Sequence, residues 1–246
     1  MKKLAYIIFA CLTVIGCKQK EAKENKEAPE KTAAMNTDIQ NNGWITLFDG
    51  SSFDAWRGYL KEEMPSQWSI EDKAMVFTPG KNGGNNIITK EKFKNFELSL
   101  EWKISEGGNS GIFWGVYEDP KFPEAYQTGP EIQVLDDERH PDAKNGTTHQ
   151  AGSLYDMIAP SEKVVKPAGE WNTCVLKINH ETNAGSITLN GTEIVTFPVH
   201  GPKWDVMVEN SKFKGWEGFG KYQTGHIGLQ DHGDKVWYRN IKIKPL

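Results

Sequence analysis

Residues 96–105 read FELSLEWKIS, and their polarity alternates without a break. Phe96, Leu98, Leu100, Trp102 and Ile104 share one parity, while Glu97, Ser99, Glu101 and Lys103 share the other. Successive side chains leave a strand on opposite faces, so this period of two predicts a strand buried on one side. Cys174, Leu176 and Ile178 repeat the pattern in WNTCVLKIN. SGIFWGVYE (110–118) is apolar on both parities, as an inner strand covered on both sides would be. In SITLNGTEIVTF (186–197), Asn190-Gly191 predicts a hairpin turn because both residues accept positive φ. WSIEDKAMVF (68–77) predicts a second hairpin, and HIGLQ and VWYRNIKIKPL add strands toward the C-terminus. Short strands punctuated by glycine predict an all-β sandwich or jelly roll of two antiparallel sheets. No fixed repeat points to a propeller.

The N-terminus reads as an address. Residues 1–17 carry Lys2 and Lys3, an apolar stretch from Leu4 to Ile15, and the ending Val14-Ile15-Gly16-Cys17. The stretch falls short of the ~20 residues of a membrane span. It fits a lipoprotein signal peptide whose lipobox ends at Cys17, the residue expected to take the lipid. Acyl chains anchor a protein to a membrane by burying methylenes. Lys18 follows the cysteine, and the expected location is the outer membrane of the cell envelope, on its periplasmic or surface face. Residues 18–42 hold five lysines, five acidic residues and no aromatic side chain. Such a segment buries too little apolar surface to offset its ordering entropy and reads as a flexible charged tether. All nine tryptophans lie in the remaining domain, 43–246.

Charge narrows the partners. With 29 Lys+Arg against 33 Asp+Glu, the net charge is −4. Nucleic-acid binders need the opposite balance, so no nucleic-acid partner is expected. Cys174 is the one thiol outside the leader. It has no cysteine to pair with inside the domain, and its parity with Leu176 and Ile178 predicts a core residue.

The stretch most suggestive of chemistry is EIQVLDD (131–137). On a regular strand Glu131 and Gln133 point one way, and Ile132 and Val134 point into the core. Asp136 joins Glu131 only if a bulge intervenes. The spacing is close to the E-x-D-x-x-E strand of retaining jelly-roll endoglucanases, whose two carboxylates stand ~5–5.5 Å apart. Gln133 and the shorter Asp136 depart from that pattern and count against double displacement. A polar sheet face wetted by solvent also fits the spacing. Surplus tryptophan suggests stacking on sugar rings, and Trp114 and Trp216 lie in glycine-rich surroundings. Filling a large two-sheet core is the other use for such residues. Histidines 140, 149, 180, 200, 226 and 232 show no H-x-H or HExxH spacing, so a zinc site is not indicated. His232 sits in LQDHGD, where Asp231 and Asp234 could orient its ring or raise its pKa. The glycines of GGNSG (107–111) suit close approach of a ligand to Asn109 and Ser110.

Taken in order, GWITLFDGSSFDAWRGY (43–59), WSIEDKAMVF, FELSLEWKISEGGNSGIFW (96–114), EIQVLDD, AGSLYDMIAP (151–160), GEWNTCVLKI (169–178), LNG (189–191) and HIGLQDHGDKVWYRNIKIKPL (226–246) span nearly all of the domain. Together they resemble the bacterial 3-keto-disaccharide hydrolase domain family. The resemblance implies a concanavalin/lectin-like jelly roll and cleavage of glycosides whose sugar carries a 3-ketone, by hydrolysis or elimination. A 3-ketone acidifies the C2 proton, so a base can form an enolate that expels the C1 substituent; water addition then completes hydrolysis. Such a route uses a base, an acid or oxyanion donor, and in one version a divalent metal polarising the ketone. Position and parity assign Glu131 as base, with His232 or Asp136 as proton donor or enolate stabiliser. Asn109, Trp114, Gln133, Tyr155, Gln230 and Arg239 are expected to contact the sugar. No metal ligand is assigned. A conventional jelly-roll endoglucanase and a non-catalytic carbohydrate-binding lipoprotein remain as alternatives.

Overall fold

A computed structural model describes residues 42–81 and 83–246. The signal segment, Cys17 and the tether up to residue 41 lie outside the described residues. Thirteen strands, numbered β1–β13 in chain order, and one α-helix (α1, Pro202–Glu209) make up the described domain, together with short 3-10 turns. All strand pairs are antiparallel.

The larger sheet runs β11 (Thr192–Phe197), β10 (Ala184–Leu189), β9 (Asn172–Asn179), β6 (Phe96–Ile104), β13 (Val236–Pro245), β4 (Ala74–Phe77), β3 (Trp68–Glu71). β1 (Ile45–Phe48) pairs with the C-terminal half of β13. The smaller sheet runs β2 (Trp56–Gly58), β5 (Ile87–Thr89), β12 (His226–Leu229), β7 (Asn109–Val116), β8 (Glu131–Leu135). This is the jelly-roll sandwich expected from the alternation.

Both hairpins form as their turn chemistry dictates. Asn190 and Gly191 take φ of 50° and 88° between β10 and β11, and Asp72 and Lys73 take 49° and 61° between β3 and β4. Positive φ at both central residues gives a turn whose twist matches that of the strands. β6 buries alternate residues along its whole length, and β9 places Cys174 inward with Leu176 and Ile178.

The core fills the space between the sheets. Leu98, Leu100 and Trp102 of β6 and Ile241 and Ile243 of β13 meet Ile112 and Trp114 of β7, Ile132 and Val134 of β8, and Ile227 and Leu229 of β12. Burying each such aliphatic side chain contributes about 1.5–3 kcal/mol before entropy is counted. On the regular stretches of β7 and β8, residues that alternate with Ile112, Ile132 and Val134 face away from this core. Asn109, Gly111, Glu131 and Gln133 do so, and all four are buried by loops packed over them.

The edge of β8 is covered by residues 152–155. Gly152 N donates to Gln133 O (2.9 Å), Gln133 N to Ser153 O (3.2 Å), and Tyr155 N to Glu131 O (3.0 Å). This pairing removes an unpaired edge and fixes Tyr155 beside Glu131.

Candidate active site

On the outer face of the smaller sheet lies a cavity of about 280 Å³. Its wall is made by Asn109, Glu131, Gln133, Gln230 and His232, and its cover by Tyr126, Tyr155, Lys212, Phe213 and Trp216. Six of the nine residues expected from sequence to act on or contact substrate are thus brought together: Asn109, Glu131, Gln133, Tyr155, Gln230 and His232.

Glu131 occupies the centre of this arrangement. Its carboxyl lies over Gly111 of the neighbouring strand, where a Cβ would collide with Oε1, so the glycine makes room for the acid. Only 7% of Glu131 is exposed, and among the described residues no group hydrogen-bonds its carboxyl. Burial pushes its pKa up to about 8; the Lys212 ammonium opposes the rise and Asp142 adds to it.

Three amide side chains face the same space. Asn109 Oδ1, Gln133 Oε1 and Gln230 Oε1 are buried and have no hydrogen-bond partner among the described residues. Buried acceptors left unpaired cost free energy, and such atoms mark a site completed by another molecule. Acceptors in this number fit a ligand that supplies several hydroxyl donors. The backbone around them is firmly held: Asn109 N donates to Asp234 Oδ2 (3.0 Å), Gln230 N to Gly111 O (2.9 Å), and Ser110 Oγ to Gln230 O (2.8 Å). Ser110 therefore points into the core, away from the cavity.

A second layer of polar groups braces the cover. Asp142 Oδ2 accepts from Tyr155 Oη (2.9 Å) and Gln133 Nε2 (3.3 Å). Its other oxygen meets Asn145 Nδ2 (2.8 Å) and His149 Nδ1 (3.0 Å). Burial raises the pKa of Asp142, but these hydrogen bonds outweigh it and hold the carboxyl below its ordinary value. His149 Nε2 reaches Asp156 Oδ1 at 2.9 Å, and Asp156 Oδ2 accepts from Lys212 N at 2.6 Å. The loop bearing Lys212 is thereby tied to the segment that covers β8.

His232 stands exposed at the rim. Desolvation of its ring is the largest influence and lowers its pKa, with His140 reinforcing and Asp234 opposing the shift. The net shift is downward, although Asp231 and Asp234 push the other way as the sequence led one to expect.

Three expected site residues are elsewhere. The strand ends at Leu135 without the bulge that Asp136 needs, and Asp136 instead accepts from Gly107 N (2.7 Å), Glu138 N (3.1 Å) and Arg139 Nη1 (3.3 Å). Burial raises its pKa, the hydrogen bonds outweigh that, and the net shift is downward. It is a structural clamp for two turns. Trp114 has the parity of Ile112 and packs in the core, 5.9 Å from Trp204 and 6.1 Å from Phe197 between ring centroids. Arg239 leaves the outer face of the larger sheet, where it pairs with Glu101 (2.7 Å) and stacks on Trp171 (3.9 Å). Trp216 does reach the cavity, while Trp56, Trp68, Trp102 and Trp204 fill the core.

Tyr126, Lys212, Asp142 and His149 were not singled out from sequence. Tyr126, Asp142 and His149 sit in the turns on either side of β8 and Lys212 in a distant loop, and none shares the strand's alternation. A capacity for metal also escaped the spacing argument: ligand atoms of His140, His232 and Asp234 lie within 4.8 Å of one another. Their present hydrogen bonds fit a cation poorly. His140 Nδ1 accepts from Asp142 N (3.1 Å), which places the ring proton on Nε2 and leaves no free lone pair. Asp234 accepts from Asn109 N through Oδ2, so the misfit rests on His140.

Comparison with known proteins agrees with this architecture. A family model described as the 3-keto-alpha-glucoside-1,2-lyase-like domain matches residues 43–244. A protein of Bacteroides thetaiotaomicron named 3-keto-disaccharide hydrolase is 36% identical, with 100% of both chains covered. Two crystal structures from Parabacteroides distasonis, both provisionally described as glycosyl hydrolases, are also similar. One superposes with a TM-score of 0.76 at 31% identity, covering 83% of this chain and 94% of the other. The second gives 0.62 at 29% identity, covering 83% and 100%. The chain belongs to the family of 3-keto-alpha-glucoside-1,2-lyase-like domains.

Proposed function

We propose that this protein cleaves the glycosidic bond of 3-keto-glycosides, 3-keto-disaccharides among them, with Glu131 as the base. The observation that carries the reading is the unpartnered carboxyl of Glu131, set among three unpaired amide oxygens. The amides suit sugar hydroxyls, and Trp216 and Tyr126 offer aromatic faces to the ring. A pKa near 8 suits a group that must both take and release a proton near neutrality.

In the first step the C2–H bond breaks, its proton goes to Glu131, and its electron pair forms the C2=C3 bond of an enolate. Return of that pair re-forms the ketone, makes the C1=C2 bond and expels the aglycone oxygen. His232, at the rim, relays to that oxygen the proton held by Glu131. Water adding its oxygen to C1 and its hydrogen to C2 completes hydrolysis. The steps above use the protein's own groups.

The test is turnover of a 3-keto-glucoside by the wild-type protein and by Glu131→Gln. The substitution removes a general base and should lower kcat by at least ~100-fold. Undiminished turnover takes Glu131 out of the mechanism. Binding of the same sugars by the wild type with no cleavage selects the non-catalytic carbohydrate-binding reading. Cys17 is proposed as the lipid-bearing residue of an outer-membrane lipoprotein, on the strength of the lipobox alone.

A further inference from the structure

We propose that Lys212 is a catalytic residue whose ammonium holds the C3 oxygen of the substrate as it becomes the enolate oxygen. The inference rests on the 3-keto-glycoside reading above and assigns the electrophile which that chemistry requires.

Lys212 is an exposed residue that lines the cavity, and its Nζ lies 4.0 Å from the centroid of the Tyr155 ring. No carboxylate among the described residues forms an ion pair with it. The arginines of the domain are engaged elsewhere, Arg57 with Glu118, Arg239 with Glu101 and Arg139 with Asp136, and Lys212 is the one lysine or arginine that lines this cavity. An unpaired ammonium at the mouth of a cavity that holds a buried acid is suited to a ligand that develops negative charge.

The residue is also held in place. Its backbone N–H is fixed by Asp156, which His149 in turn joins to Asp142. The next residue, Phe213, is buried and stacked on Phe219 at 3.8 Å. The backbone that carries Lys212 therefore cannot move away without breaking both anchors.

Charge accounting favours the assignment. Before reaction, ionised Glu131 and Lys212 balance one another. When the C2 proton moves to Glu131, one negative charge moves to the C3 oxygen, so Lys212 still faces one anion. Without Lys212 the same step would leave that oxygen with no lysine or arginine among the residues that line the cavity.

The test compares wild type, Lys212→Met and Lys212→Arg on a 3-keto-glucoside, with thermal melts for all three. Loss of one oxyanion-stabilising donor should lower kcat by ~10²–10³-fold in Lys212→Met, with KM changed far less and the melt unaltered. Arg should restore part of the loss. The kcat/KM limb that reports Glu131 should also move to higher pH in Lys212→Met. Of the charged groups around Glu131, Lys212 lowers its pKa, and Asp142 is left to raise it. Wild-type kcat in Lys212→Met, or a defect confined to KM, overturns the proposal. Chelator-sensitive turnover that Lys212→Met leaves untouched also overturns it, in favour of a cation at His140, His232 and Asp234. If the wild type itself is inert on 3-keto-glycosides while active on unoxidised glycosides, the functional reading falls first and this inference with it.

Discussion

Replacing Glu131 by Gln should make the protein more stable as well as less active. The carboxyl has an ordinary pKa of 4.5 and is driven to about 8 by burial. Below pH 4.5 it is protonated in both folded and unfolded chains and contributes no difference. Between pH 4.5 and about 8 the unfolded chain ionises while the folded one does not, so folding grows less favourable as pH rises. At ~1.36 kcal/mol per tenfold change in acidity, this loss totals on the order of 5 kcal/mol above pH 8. That is a large share of the 5–15 kcal/mol typical of a domain. Glutamine has the same shape and no charge to bury. Urea denaturation of wild type and variant from pH 5 to pH 9 measures the effect. The two curves should lie close at pH 5 and diverge steadily, with the variant ahead by several kcal/mol at pH 9. Parallel curves would refute the reasoning, since a carboxyl at its ordinary pKa adds no such slope.

Gly111→Ala adds a methyl where the Glu131 carboxyl now lies, at a glycine whose φ is not positive, so kcat should fall steeply while the fold persists; wild-type kcat would show that Glu131 acts from another position. Gln133→Leu or Gln230→Leu removes a sugar-facing acceptor and should raise KM about tenfold, the scale of one hydrogen bond at ~1–1.5 kcal/mol, read from initial rates. For the wild type, kcat/KM on a 3-keto-glucoside should climb as pH passes about 8, because the base must be ionised; a falling profile would recast Glu131 as an acid. Asp136→Asn should lower stability by about 2–3 kcal/mol through weakened charge-assisted hydrogen bonds yet spare kcat, and that stability is lost in the wild type as pH falls through the depressed pKa. Cys17→Ala should release the protein from membranes into the soluble fraction, as a carbonate wash and immunoblot would show.

What the sequence disclosed was what local rules govern. The alternation in β6 and β9 and the turn at Asn190-Gly191 depend on neighbouring residues only, so the strands and hairpins could be read directly. The same parity aimed Glu131 and Gln133 away from Ile132 and Val134. It also set Asp136 apart, and the bulge that would have rescued Asp136 is absent: the strand stops at Leu135 and the turning chain brings that carboxylate to Gly107 and Glu138. Trp114 was ambiguous for another reason: β7 is apolar on both faces, so alternation gave no direction. Lys212, Asp142 and His149 were illegible because long loops deliver them, and their meeting is a product of tertiary packing. The histidine–carboxylate group at the rim escaped notice likewise, since His140 and His232 are joined in space and not by spacing.

The central claim is that Glu131 removes the hydrogen at C2, and a 3-keto-glucoside deuterated at that carbon tests it most directly. Cleavage by the wild type should be slower with the deuterated substrate, the released sugar should lose its deuterium to water, and Glu131→Gln should abolish both cleavage and exchange. Cleavage at an equal rate with the deuterium fully retained at C2 would contradict the account, because the bond would then have broken without an enolate.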